Sequence, residues 1–202
     1  MNKKHFTLIE LLVVIGIIAI LSAILLPVLS GAAKKADMSK ARSEIATLVN
    51  AIKQYESVYG VLPVPASTSG EELDSAATPD QFKELIYILQ ADTTNIHAGN
   101  QNKNSRRQKF LDIVGNEAGF YKDPWDNDYI VLLDHNYDGK ITTIPEGINL
   151  TSPVVDLSFS VVVWSMGPDG KSNSTTAHKE NRDNIYSFPT LWTKADGHNI
   201  SR

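Results

Sequence analysis

The chain has 202 residues, with 19 Lys and Arg against 23 Asp and Glu, a formal net charge of −4 and a pI of about 5.7. That length predicts one domain with at most an extension, and the acidic balance argues against a general nucleic-acid surface. With no cysteine, the sequence excludes disulfides, thiolate metal sites and a cysteine nucleophile.

The first predicted element is an apolar helix. No residue from Leu11 to Leu26 is charged. With its flanks, residues 6–29, the run reaches about 24 positions, or about 36 Å of helix, enough to cross hydrocarbon about 30 Å thick. Lys3 and Lys4 precede it and predict a cytoplasmic N-terminus. The run is too long for an ordinary signal peptide and passes straight into another helical pattern. Glu10 is the exception: a carboxylate in lipid costs a few kcal/mol unless it finds a partner.

A second helical stretch is predicted over 30–60. Met38, Ala41, Ile45, Leu48, Ile52, Tyr55 and Tyr59 recur at spacings of three and four and form one stripe. Lys40, Arg42, Glu44, Lys53 and Glu56 fall between them as a solvated face, so the stripe is expected to pack on a globular head. Gly60 reads as the C-cap, and Pro63 and Pro65 forbid continuation.

The head is predicted over 61–202. Residues 66–78 have turn composition. Thr78-Pro79-Asp80-Gln81 has the pattern of a capping box with proline at the first helical position. Phe82, Leu85, Ile86 and Leu89 would form the buried face of that short helix. Residues 92–109 are polar and carry Lys103, Arg106, Arg107 and Lys109. They lack interleaved aromatics, which favours a solvated loop or subunit-contact surface over nucleic-acid binding. Strands are expected at Tyr129–Leu133 and Leu157–Trp164.

Between those strands, Asp134, Asn136 and Asp138 with Gly139 match positions one, three, five and six of an EF-hand-type calcium loop. Position twelve is Pro145 rather than an acid, Glu146 comes one residue late, and no helical periodicity flanks the stretch. A β-turn with solvated Asp and Asn explains the same residues. No Ser-His-Asp arrangement, phosphate-cradling glycine loop or metal-ligating His pair stands out, so no enzymatic activity is expected.

His5-Phe6-Thr7-Leu8-Ile9-Glu10 resembles the prepilin peptidase site of type IV pilins and type II secretion pseudopilins. Asp123-Pro124-Trp125-Asp126-Asn127-Asp128-Tyr129 resembles the Asp-Pro-Trp-Gly-Asn-Pro-Tyr turn of major pseudopilins. Trp164-Ser165-Met166-Gly167-Pro168-Asp169-Gly170-Lys171 resembles their next signature, and Asp183–Phe188 a later acidic-to-aromatic stretch. The chain departs from the pattern at His5, Asp126 and Asp128, where the family has Gly, Gly and Pro.

The resemblance implies an α+β fold: a long N-terminal helix, half in the membrane and half packed on the head, with a small antiparallel β-sheet. It implies a leader at 1–5, cleavage between His5 and Phe6, and N-methylation of Phe6. Glu10 would pair with a neighbouring subunit's amine, and Pro27 would be the family's helix-kinking proline. Calcium would be held in the C-terminal loop at Ser165, Asp169 and Asp183. The implied role is a subunit of a periplasmic pseudopilus of a type II secretion system. Its partners would be copies of itself, other pseudopilins, the prepilin peptidase, the inner-membrane assembly platform and, before assembly, lipid. The alternatives are a type IV pilus pilin and a membrane-anchored ligand-binding module.

Overall fold

A computed structural model describes residues 7–68, 72–74, 78–96, 98–113, 121–143, 148–149, 157–173, 179–188, 190–193 and 198–201, some of them by backbone alone. The chain divides into two compact units, residues 1–39 and 40–202.

Helix α1 runs Leu8–Tyr59 and remains helical through Pro27. In the first unit every large apolar residue from Leu8 to Ile24 is at least 46% exposed. Among the described residues, no helix is long and apolar enough to cross a membrane. The apolar stretch whose side chains are described, Leu8–Ile24, rises about 26 Å, short of the roughly 30 Å hydrocarbon core. In the second unit the predicted stripe is covered: Ala41, Ile45, Leu48, Ile52 and Tyr55 are at most 2% exposed, and Tyr59 is half-buried. Gly60 ends the helix at φ +72°, a conformation open to glycine at little steric cost, and its N–H donates to Glu56 O (2.7 Å).

Helix α2, Pro79–Gln90, buries Phe82, Leu85, Ile86 and Leu89 as the spacing predicts. Its cap differs from the expected box. The Thr78 hydroxyl lies against Asp74 O (2.9 Å) and Gln81 Oε1 (2.7 Å) and makes no bond to a helix amide. Thr78 serves the preceding chain instead. Ala91 closes the helix in the left-handed region, with amides returning to Tyr87 O and Ile88 O.

Four strands form the main antiparallel sheet, in the order β1-β2-β4-β5: β1 Glu72–Asp74, β2 Ile130–Asp134, β4 Val161–Ser165 and β5 Ile185–Tyr186. This is the expected α+β fold. A second, smaller sheet pairs β3 (Ile148–Asn149) parallel to β7 (His198–Ser201), with β6 (Thr190–Thr193) antiparallel to β7. The predicted strand at Leu157–Trp164 is shorter than expected. Leu157 instead bridges Ile141, and the ladder proper begins at Val161. Strand β1 lies within a stretch whose composition predicts only a loop. Leu73, fully buried and opposite Leu133, supplies the anchor that composition hides. β2 and β4 are buried along their whole length, which suits the middle of a sheet covered on both faces. Ile130, Leu132, Val162, Trp164, Tyr186 and Phe188 belong to one core cluster.

Candidate functional site

At the N-terminus, Thr7 and Glu10 satisfy each other around the first turn of α1. The Thr7 N–H (2.8 Å) and hydroxyl (2.7 Å) both donate to Glu10 Oε2, and the Glu10 N–H returns to Thr7 Oγ1 (3.3 Å). This is a capping box, with the carboxylate at the positive end of the helix dipole. In a single chain, Glu10 therefore holds otherwise unpaired donors of its own helix. His5 and Phe6 lie outside the described residues, as does the Pro27 side chain.

In the head, two separate stretches meet at Asp123, which is 5% exposed. Its Oδ1 accepts the amides of Trp125 (3.0 Å) and Asn127 (2.8 Å), closing the turn, and Asp123 N–H donates to Asn127 O (2.8 Å). Its Oδ2 accepts the hydroxyl of Ser165 at the end of β4 (2.7 Å), and the same hydroxyl oxygen accepts Gly167 N–H (3.0 Å). Asp126, where the family has Gly, adopts the glycine-like φ of +71°. The turn therefore keeps its left-handed step despite the substitution. Sequence reading includes Asp123 in the motif but misses its organising role. A buried serine at a strand end and an Asp-Pro turn were the available signals.

The loop after β4 folds onto the acidic-to-aromatic stretch that begins at Asp183. Gly167 sits at φ +71°, and a Cβ there would overlap the Asp183 carbonyl. Asp169 N–H donates to Asp183 Oδ2 (3.3 Å). Although 14 residues apart, Asp169 and Asp183 are thus brought together. Burial, together with the negative charge of Asp169, raises the Asp183 carboxyl above its ordinary value. Two crowded carboxylates of this kind suit a hard divalent cation. The Ser165 hydroxyl, by contrast, is engaged with Asp123 and Gly167. Among the described residues, no group of three His, Cys, Asp or Glu side chains could hold a metal.

Tyrosines fasten the second half of α1 to the head. Tyr129 donates to Glu44 Oε2 (2.7 Å) and Tyr121 to Glu44 O (3.2 Å). Tyr55 donates to Lys103 O (2.5 Å), and its burial pushes the phenol up to about 12. Tyr59 donates to Asn104 Oδ1 (2.7 Å). Asn104, 6% exposed, also donates to Ile88 O and Gln108 O, so the polar 92–109 stretch has a built interior rather than being wholly solvated. The guanidinium of Arg106 lies 5.7 Å from the Tyr59 ring centre, a cation–π contact.

A helix with an unbroken apolar start, leading into an antiparallel α+β head stapled through an Asp-Pro-Trp turn, defines a pilin-like protein. The chain is 31% identical over 152 residues to the type II secretion system core protein G of Escherichia coli K12, covering 72% of this chain and 84% of that one. It is 41% identical over 169 residues to core protein G of Pectobacterium carotovorum subsp. carotovorum, covering 84% and 78%. It is also 29% identical over 107 residues to the type IV major pilin PilE of Neisseria gonorrhoeae, covering 53% and 64%. No family model and no solved structure matches it. The chain belongs to the family of type II secretion system core protein G, the major pseudopilins.

Proposed function

We propose that this chain polymerises into a periplasmic pseudopilus that drives protein export through a type II secretion system. The supporting observation is the exposed apolar surface from Leu8 to Ile24, apolar on all sides and headed by one carboxylate. In water such a surface is a liability; lipid or packed copies of the same helix would cover it. The chain would insert in the inner membrane with its head in the periplasm. The prepilin peptidase, acting between His5 and Phe6, would free the amine that is then methylated. Glu10 would leave its bond to Thr7, or share it, and pair with that amine on a neighbouring subunit. Assembly would involve copies of this chain, other pseudopilins and the inner-membrane platform. Asp169 and Asp183 would hold calcium, which would neutralise their mutual repulsion and fix the loop that Gly167 and Ser165 shape.

Mass spectrometry of the native N-terminus tests processing: the expected species begins at methylated Phe6. Glu10→Ala should leave membrane insertion and head folding intact. It should also lower filament yield about tenfold or more, the scale expected when a few kcal/mol of pairing in lipid is lost. Normal filaments from that variant would refute the pairing role. The likeness to PilE favours a second reading, a surface pilus subunit. Immunolabelling of intact cells separates the two, because a pseudopilus at native expression stays in the periplasm.

A further inference from the structure

The loop that follows β2 lies apart from the Asp169–Asp183 pair in sequence. Asp134, the last residue of β2, is 2% exposed. Its Oδ2 accepts the amide of Gly139 (2.9 Å), which turns the carboxylate across the loop. Its Oδ1 is buried and has no hydrogen-bond partner among the described residues. A buried carboxylate oxygen without a donor is costly, and such an atom calls for a counterpart.

The rest of the loop carries further side-chain oxygens at Asn136 and Asp138. Asn136 Oδ1 accepts Asp138 N–H (3.2 Å) and Asp138 Oδ1 accepts Lys140 N–H (2.9 Å). Asn136 Nδ2 donates to Asp138 Oδ2 (3.2 Å). Each of these oxygens keeps a second lone-pair direction for a ligand. Tyr137 and Gly139 take φ of +60° and +80°, so the backbone curls, and the Tyr137 hydroxyl accepts the Leu62 amide and tethers the curl. Asn136 and Asp138 are exposed, which leaves a path for an ion.

We propose that the Asp134–Lys140 loop binds a calcium-like divalent cation through oxygens of Asp134, Asn136 and Asp138, with Asp134 Oδ1 as the buried ligand. Oxygen donors at positions one, three and five and glycine at six suit a hard cation of flexible coordination. With only two formal charges, the site should bind weakly, with Kd of about 10⁻⁴–10⁻³ M, the range of extracellular modules.

The test uses the full chain in detergent, titrated with calcium by calorimetry and with terbium by luminescence excited through tyrosine, which Tyr137 would sensitise. Asp138→Ala should lose the tyrosine-sensitised terbium signal and one equivalent of calcium. The Asp169→Asn, Asp183→Asn double variant should keep both. Asp138 is exposed, so its replacement should leave the circular dichroism unchanged. Unaltered binding in Asp138→Ala overturns the proposal, as does loss of all binding in the double variant or no binding by the wild type. Calcium at Asp169 and Asp183 fails separately, if the double variant retains the full wild-type stoichiometry.

Discussion

The two halves of α1 dispose of their apolar side chains in opposite ways. From Ala41 to Tyr55 the apolar residues keep helical spacing, charges occupy the other face, and the stripe is at most 2% exposed. From Leu8 to Ile24 apolar side chains point in every direction, and the least exposed large one, Val14, is still 46% exposed. A one-sided stripe can be covered by one neighbour, here the head. A helix apolar all round needs a surrounding medium or several partners. Leu48→Ala should therefore lower head stability by about 2–5 kcal/mol, as for a fully buried leucine. Leu12→Ala, at a position 58% exposed, should move the same urea midpoint by less than about 0.5 kcal/mol while weakening membrane retention and filament yield. Equal effects on unfolding would break the distinction.

The two aspartate-led turns offer a second contrast. Asp123 is buried and both its oxygens are used, tying the 123–129 turn to the end of β4. Asp138 is exposed and, among the described residues, bonds only within its own loop. Asp123→Ala would leave the amides of Trp125 and Asn127 and the Ser165 hydroxyl unpaired. It should cost about 2–3 kcal/mol by thermal or urea unfolding. Ser165→Ala removes the link between the turn and β4 and the acceptor of the Gly167 amide, and should cost less, about 1–2 kcal/mol. A loss in Asp123→Ala no greater than in Ser165→Ala would show that the turn closes without its carboxylate.

These contrasts also explain what was legible in the sequence. The stripe on α1, the buried face of α2 and the two central strands follow from periodicity and composition. Periodicity reports burial, and burial is what a fold must arrange. β1 was not legible, because three residues around Leu73 cannot show a period, and their pairing with β2 is a long-range fact. The Asn104 framework was hidden likewise. A polar residue reads as solvated until its partners, here Ile88 O and Gln108 O, are placed around it. Among the site residues, the N-terminal motif was legible as local sequence. The Thr7–Glu10 cap is also written in the sequence, as a Thr-x-x-Glu pattern. The approach of Asp169 to Asp183 depends on the fold of the intervening loop, which spacing alone does not give.

Asp126 supplies the smallest and most finely balanced prediction. At φ +71° it holds a conformation that is unfavourable for a residue bearing a Cβ, by about 1 kcal/mol, though Asp tolerates it better than most. Against that stands its pair with Lys122, Oδ1 to Nζ at 3.7 Å, with the Asp126 side chain 89% exposed. A pair so open to solvent contributes only a few tenths of a kcal/mol. The stronger contact, Lys122 Nζ to Asp126 O (2.9 Å), uses the backbone and survives substitution. Glycine also adds freedom to the unfolded chain, which offsets part of the relief. Asp126→Gly should thus raise stability by about 0.5 kcal/mol, read as a small upward shift in melting temperature. A downward shift would mean that the Asp126 carboxylate, rather than the left-handed step it occupies, governs this turn.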